Sequence, residues 1–290
     1  MKRPFVQIIV WLGIIAVLTL LGMGIWYLAC GGSQTTASLK WLQLLQTCGT
    51  FLLPPLLCAW LWSDGHKPFT WLHLNRGIRW QVALLAIATM VCAIPGINLL
   101  ADLNSRIVLP ECCAGLEQWM RQMEDTAAQL TERFLQADTV GTMLINVGLL
   151  ALLPALAEEL SFRGTLQQIL ESRETKVESR KIHLAIWLTA IVFSAIHMQF
   201  FGFIPRMLMG AMFGYVFVWT GSLWAPILMH FTNNGIAVVA YYLAEPTTNN
   251  QGLTTHWADT VGAGPMWWLG VLSILSVSLL LYCIRKSERH

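Results

Sequence analysis

Residues 139–160 read TVGTMLINVGLLALLPALAEEL. From Val140 to Ala157 the run carries no charge, and a helix needs about 20 apolar residues to cross a bilayer. The run predicts a membrane-spanning helix that ends on two carboxylates, Glu158 and Glu159. Further apolar runs predict helices near 5–29, 41–62, 81–101, 184–200, 205–220, 223–243 and 265–284. The expected fold is all-α, a polytopic membrane bundle of about eight transmembrane helices. Composition agrees: 56% of residues are hydrophobic and 12% charged, against roughly 25% charged in soluble domains. Many of the 14 Trp lie near run ends, among them Trp26, Trp41, Trp62, Trp80, Trp224, Trp267 and Trp268. Such positions suit interfacial anchors, whereas Trp187 reads as a core residue.

The chain, 1–290, reads as one integral membrane domain. Met1-Lys2-Arg3-Pro4 precedes an apolar run longer than the roughly 7–15 residues of a signal peptide, so that run is expected to be retained as a helix. With the N-terminus inside, the inner loops hold Lys2, Arg3, Lys67, Arg76, Arg79, Arg163, Arg173, Lys176, Arg180, Lys181, Arg285, Lys286 and Arg289. The outer side holds Lys40, Arg106, Arg121, Arg133 and Arg206. This positive-inside bias places both termini in the cytoplasm. Lys-Arg near the start and no organelle address suit a bacterial inner membrane. Segment 102–138 is then an extracytoplasmic loop. Within it, Leu116, Trp119, Met120, Met123, Ala127, Leu130 and Phe134 recur at helical spacing, which predicts an amphipathic helix on the membrane or on the protein. It reads as a substrate or partner site, or as a plain interfacial helix; composition favours the second. A net charge of +2 gives no case for nucleic acid. Among seven Cys, Cys112 and Cys113 are adjacent in this loop, and an oxidising compartment would let one pair with Cys30.

Ionisable groups inside membrane helices point to function by default. Glu159 and Arg163 are four apart, share a helical face and are expected to pair, which leaves Glu158 free as a general base. The plain alternative is a charge pair at the membrane interface. His197, in Phe193-Ser-Ala-Ile-His197, sits in an apolar run, where packing alone would also explain it. His230 and Asn234 share a helical face. Both side chains are able to donate to an oxyanion, or simply to bond across helices. A base, two histidines and an amide donor on separate helices are the parts that peptide hydrolysis needs. No Gly-x-Ser-x-Gly or His-Glu-x-x-His element is present.

Glu-Glu-x-x-x-Arg, then Phe-x-x-x-His, then His-x-x-x-Asn, in this order over 139–243, resembles the CAAX protease and bacteriocin-processing (CPBP, or Abi) family of intramembrane endopeptidases. The resemblance implies that Glu158 activates water, that Glu159 and Arg163 support it, that His197 is an essential histidine, and that His230 and Asn234 stabilise the oxyanion. It makes 139–243 the catalytic core. The implied substrates are membrane-associated peptides or proteins, including lipid-modified ones, with membrane lipid around the chain. No cofactor is expected; zinc on Glu158, His197 and His230 is the alternative, since three ligands plus water make a catalytic site. A proton- or ion-coupled transporter and a non-catalytic scaffold are readings of other classes. Against the transporter, no inverted repeat is evident. Ideal antiparallel helices would put Glu158 and His197 roughly 20 Å apart. A shared site therefore requires the Glu158 helix to continue past Arg163, through Phe162, Leu166, Ile169 and Leu170, with a bend near Pro154.

Overall fold

In a computed structural model, residues 4–63, 65, 67–137, 139–171, 179–243, 247–248, 254–255 and 260–288 are described. The fold is a helical membrane bundle. Helices α1 (Pro4–Cys30), α2 (Thr36–Trp62) and α3 (Trp80–Ser105) precede α4 (Ala114–Leu135). After it come α5 (Val140–Leu170), α6 (Ser179–Ala195), α7 (Phe203–Thr220), α8 (Trp224–Leu243) and α9 (Trp267–Ser287). A two-residue antiparallel pairing joins Thr247–Thr248 to Thr254–Thr255. Every apolar run has its helix, and six of the helical segments are both long and apolar enough to cross a bilayer. The two shortfalls are α6, which is short, and α8, whose His230, Thr232, Asn233 and Asn234 dilute its apolar content. Of the basic residues used for topology, Lys2, Arg3, Arg173, Lys176 and Arg289 lie outside the described residues.

Proline shapes two helices. Its ring presses on the carbonyl four residues back and offers no N–H. Accordingly α2 opens into a wide i→i+5 turn at Cys48–Leu52, just before Pro54 and Pro55. Helix α5 does the same at Val147–Leu152, before Pro154, and opens a second time at Phe162–Gln167. It starts on Thr139, whose side chain accepts from the Thr142 N–H, and runs on to Leu170. The expected continuation past Arg163 is therefore met, and Glu158 and Glu159 lie between the two wide turns.

Small residues let helices approach. A Cβ at Gly49 would stand 2.8 Å from the Leu18 carbonyl oxygen, and α1 and α2 are further joined by a 2.8 Å bond between the Thr19 and Thr50 hydroxyls. Helices α3 and α9 meet at Gly96 and Gly270. There Ser273 Oγ accepts from the Gly96 N–H at 3.0 Å and donates to the Cys92 carbonyl, which bridges the helical ladder beside Pro95. The core joins Ala86 and Met90 of α3 to Phe213 of α7 and Ala225 and Met229 of α8. A second cluster joins Trp11, Cys58, Phe162, Leu166 and Phe193 across α1, α2, α5 and α6.

Three expectations need correction. Helix α6 stops at Ala195 rather than near 200, so His197 lies in the turn beyond it. Trp187 is 37% exposed, because α6 presents that face outward. Cys30 is a free thiol; Cys112 and Cys113 stand 3.7 Å from each other, Sγ to Sγ. Helix α4 forms as its periodicity predicts and packs on protein. Phe134 is buried, Arg133 donates to the Gln34 carbonyl at 2.8 Å, and Trp119 meets Phe200 at 5.4 Å between ring centroids. At its start Glu117 accepts from the Leu109 N–H at 2.8 Å and from Arg121.

Gly270→Leu drives a side chain into Leu99, whose Cβ would lie 2.6 Å from the new Cβ. Overpacking of this kind costs about 1–3 kcal/mol, so Tm in detergent should fall; an unchanged Tm would show that α3 and α9 do not pack this way. The Leu109 N–H and then Arg121 hold the Glu117 carboxyl below the usual carboxylate range. Its stabilising effect is present above the unfolded-state value and disappears as pH falls through the lower folded-state value. Amide exchange at Leu109, corrected for the intrinsic pH dependence, should speed up over that acid window in wild type and not in Glu117→Gln.

Candidate active site

The centre of the bundle is built on a buried arginine. Arg163 and Glu159 are both 0% exposed, and Arg163 Nη1 donates to Glu159 Oε1 at 2.7 Å. The i, i+4 spacing on α5 makes the pair local. The second guanidinium nitrogen, Nη2, donates to the Gly210 carbonyl of α7 at 2.8 Å. Aromatic rings cover the guanidinium: its carbon lies 4.7 Å from the Phe193 centroid and 5.3 Å from that of Phe213. Gly210 permits this approach, since a Cβ there would stand 3.2 Å from the Phe193 ring and 3.3 Å from Ala190.

His230 of α8 docks on the same carboxylate. Its Nδ1 lies 2.8 Å from Glu159 Oε1. An ionised carboxylate only accepts, so Nδ1 carries the proton. The ring stacks on Phe213 at 5.5 Å and meets the edge of Phe193 at 6.0 Å. Its other nitrogen, Nε2, is 3.9 Å from Glu158 Oε2. That oxygen is buried and has no hydrogen-bond partner among the described residues. His230 is thus held through one nitrogen by Glu159 and presents the other to Glu158. The sequence reading grouped His230 with Asn234; the structure adds the bond from Nδ1 to Glu159.

His197 sits in the turn after α6. Its Nδ1 is 2.8 Å from the Phe193 carbonyl. A carbonyl accepts, so this nitrogen is the donor and Nε2 is left as the acceptor of a neutral ring. The His197 ring meets Phe193 at 5.2 Å. One phenyl ring therefore touches both imidazoles and the guanidinium. Asn234, one turn beyond His230, is half-buried, and its Oδ1 accepts from Asn233 Nδ2 at 3.1 Å.

Among the described residues, no group of three or more His, Cys, Asp or Glu side chains is arranged to hold a metal ion. Glu158, His197 and His230 do not form a three-ligand zinc site in this arrangement.

Sequence reasoning passed over Phe193 and Phe213 as ring partners, the Gly210 carbonyl and Arg206. Phe193 stands one helical turn before His197, which was a usable signal. Arg206 is a charge inside an apolar helix and interacts electrostatically with Glu158. A backbone carbonyl leaves no trace in a sequence.

Residues 140–236 match the model of a family described as type II CAAX prenyl endopeptidase Rce1-like. The matched segment is the one that carries the cluster. It runs from the first turn of α5 into α8 and contains Glu158, Glu159, Arg163, His197, His230 and Asn234, in keeping with the resemblance read from the motifs. A Bacillus subtilis protein described as "Uncharacterized protein YpbD" is 31% identical over 86 residues, which is 28% of this chain and 38% of YpbD. The chain thus matches well under half the length of that relative. No solved structure matches the chain. The apolar helices and the Rce1-like segment together make this an integral membrane protein.

Removing one partner of a buried pair leaves an uncompensated charge, at a cost of about 3–5 kcal/mol. Arg163→Met should therefore unfold in detergent at a much lower temperature than wild type. Arg163→Met combined with Glu159→Gln should recover part of that loss. A single variant as stable as wild type would mean that Arg163 is not buried against Glu159.

Proposed function

We propose that the chain is an intramembrane endopeptidase that hydrolyses peptide bonds of membrane-associated peptides or proteins, including lipid-modified ones. The observation that carries this reading is His230 held by Glu159 with Nε2 turned toward the unbonded carboxylate oxygen of Glu158. The Rce1-like segment supports the same class of activity.

In this mechanism Glu158 takes a proton from water as the water oxygen attacks the scissile carbonyl. His197 Nε2 orients the water by accepting its other hydrogen. Negative charge then develops on the carbonyl oxygen. Donors aimed at that charge are worth more in a water-poor site than in bulk water. Asn234 Nδ2 supplies one, and His230 Nε2 supplies another when the imidazole holds both protons. The C–N bond breaks as Glu158 hands the proton to the leaving amine. Glu159 and Arg163 touch no reacting atom and act through His230. The topology proposed with this reading has both termini in the cytoplasm of a bacterium, 139–243 as catalytic core, and 102–138 on the outer face.

The test is cleavage of a panel of membrane-tethered peptides by the purified full-length protein. A general base contributes about 10²–10⁴-fold, so Glu158→Gln should lose at least about a hundredfold in kcat. Removing one oxyanion donor costs about 10²–10³-fold, the loss expected for Asn234→Ala. A Glu158→Gln protein that cleaves like wild type would end this mechanism. Cleavage lost to a chelator and restored by zinc would replace it with the metal-dependent version. Proton-driven flux in liposomes without cleavage would favour a transporter.

A further inference from the structure

The turn that carries His197 is strained. Met198 has φ 54°, in the left-handed region that a residue with a long side chain rarely adopts. No glycine or proline occurs between Ala195 and Phe201 to impose the turn. Neighbouring elements hold it instead. Asn104 of α3, 4% exposed, donates to the Phe200 carbonyl at 2.9 Å. Arg206 of α7 donates to Gln199 Oε1 at 2.6 Å and approaches the Gln199 carbonyl at 3.4 Å. From α4, Glu124 Oε2 accepts from the Phe201 N–H at 3.1 Å, and the Arg121 guanidinium lies 4.4 Å from the Phe201 centroid. Glu124 and Arg206 also attract each other electrostatically, and Arg206 has no ion pair within 4 Å among the described residues. Most of α4's outward side is exposed, but Glu124 lies on its inner side.

We propose that Glu124 and Arg206 are positioning residues for His197, clamping the 196–202 turn from α4 and from α7. The amphipathic segment is then part of the active-site framework rather than a plain interfacial helix. This inference rests on the protease reading above. The clamp touches no reacting atom; it fixes where the His197 imidazole stands, and a misplacement of about 1 Å in such a group is worth up to a hundredfold in rate.

The experiment uses full-length protein and a membrane-tethered peptide that wild type cleaves. Glu124→Ala should lower kcat about tenfold with KM within about twofold. Glu124→Gln keeps an acceptor for the Phe201 N–H and should retain at least about a third of wild-type kcat. Glu124→Ala combined with Arg206→Met should lose no more than about twofold beyond the worse single variant, because both act on one turn. Arg133→Gln cuts the far end of α4 from the Gln34 carbonyl, away from the turn, and should keep wild-type kcat. The proposal is overturned by wild-type kcat in Glu124→Ala, by an effect on KM alone, by fully additive losses, or by an equal loss in Arg133→Gln. Gln199→Met cuts only the Arg206 bond to that side chain, and wild-type kcat there overturns the proposal even where Glu124→Ala does not fold. A wild type that cleaves nothing removes the protease reading and the clamp together. A wild type that cleaves, with Glu124→Ala unaffected, removes the clamp alone.

Discussion

The structure depends on a guanidinium and a carboxylate taken out of contact with solvent. Moving either ion into a low-dielectric interior costs several kcal/mol, and the mutual attraction offsets this only with good geometry and further hydrogen bonds. Arg163 and Glu159 have two such bonds, each to a different helix, while Arg163 Nε and Glu159 Oε2 have no hydrogen-bond partner among the described residues. Gly210 of α7 accepts from Arg163, and His230 of α8 donates to Glu159. The contacts of one charge pair therefore bring α5, α7 and α8 to a common point. Phe193 of α6 closes the fourth side with its ring face on the guanidinium. A membrane helix bundle has little hydrophobic drive between its helices, since lipid tails are as apolar as leucine. Polar contacts such as these are left to set the register.

The wide turns of α5 belong to the same arrangement. A regular helix would carry every residue along one rotation of about 100° per position. The turn before Pro154 and the one at Phe162–Gln167 each insert extra chain, so the segment bearing Glu158 and Glu159 is set off from both ends of the helix. Two adjacent carboxylates thereby face different surroundings. Glu159 is fully buried and bonded to Arg163 and His230, while Glu158 keeps 13% of its side chain exposed.

Much of this was legible in the sequence, for identifiable reasons. Apolar runs report helices because a bilayer leaves the backbone few other options. The Glu159–Arg163 pair is local, so spacing alone announces it. The continuation of α5 past Arg163 was readable from Leu166, Ile169 and Leu170. The end of α6 was not, because Ile196, Met198, Phe200 and Phe201 prolong the apolar pattern while the chain turns at Met198 without glycine or proline. The His230–Glu159 bond was hidden for another reason. It depends on α5 and α8 being neighbours, and helical periodicity carries no information about neighbours. Arg206 was readable as a misplaced charge, but counting it among loop residues for topology concealed it.

The polar content that makes α8 a weak span is itself informative. Polar side chains in a membrane helix are tolerated when they are bonded inside the bundle. In α8 the Thr232 hydroxyl returns to the Leu228 carbonyl and Asn233 bonds to Asn234, whereas His230 alone among them reaches another helix, to a buried anion. The first two bonds are local and would form in any helix. The third requires α5 to be present with Glu159 already oriented by Arg163. The order of dependence thus runs from Arg163 to Glu159 to His230. Glu158 and its neighbours take up their arrangement only once that chain of contacts is complete, so a fully buried pair sets the geometry of the whole cluster.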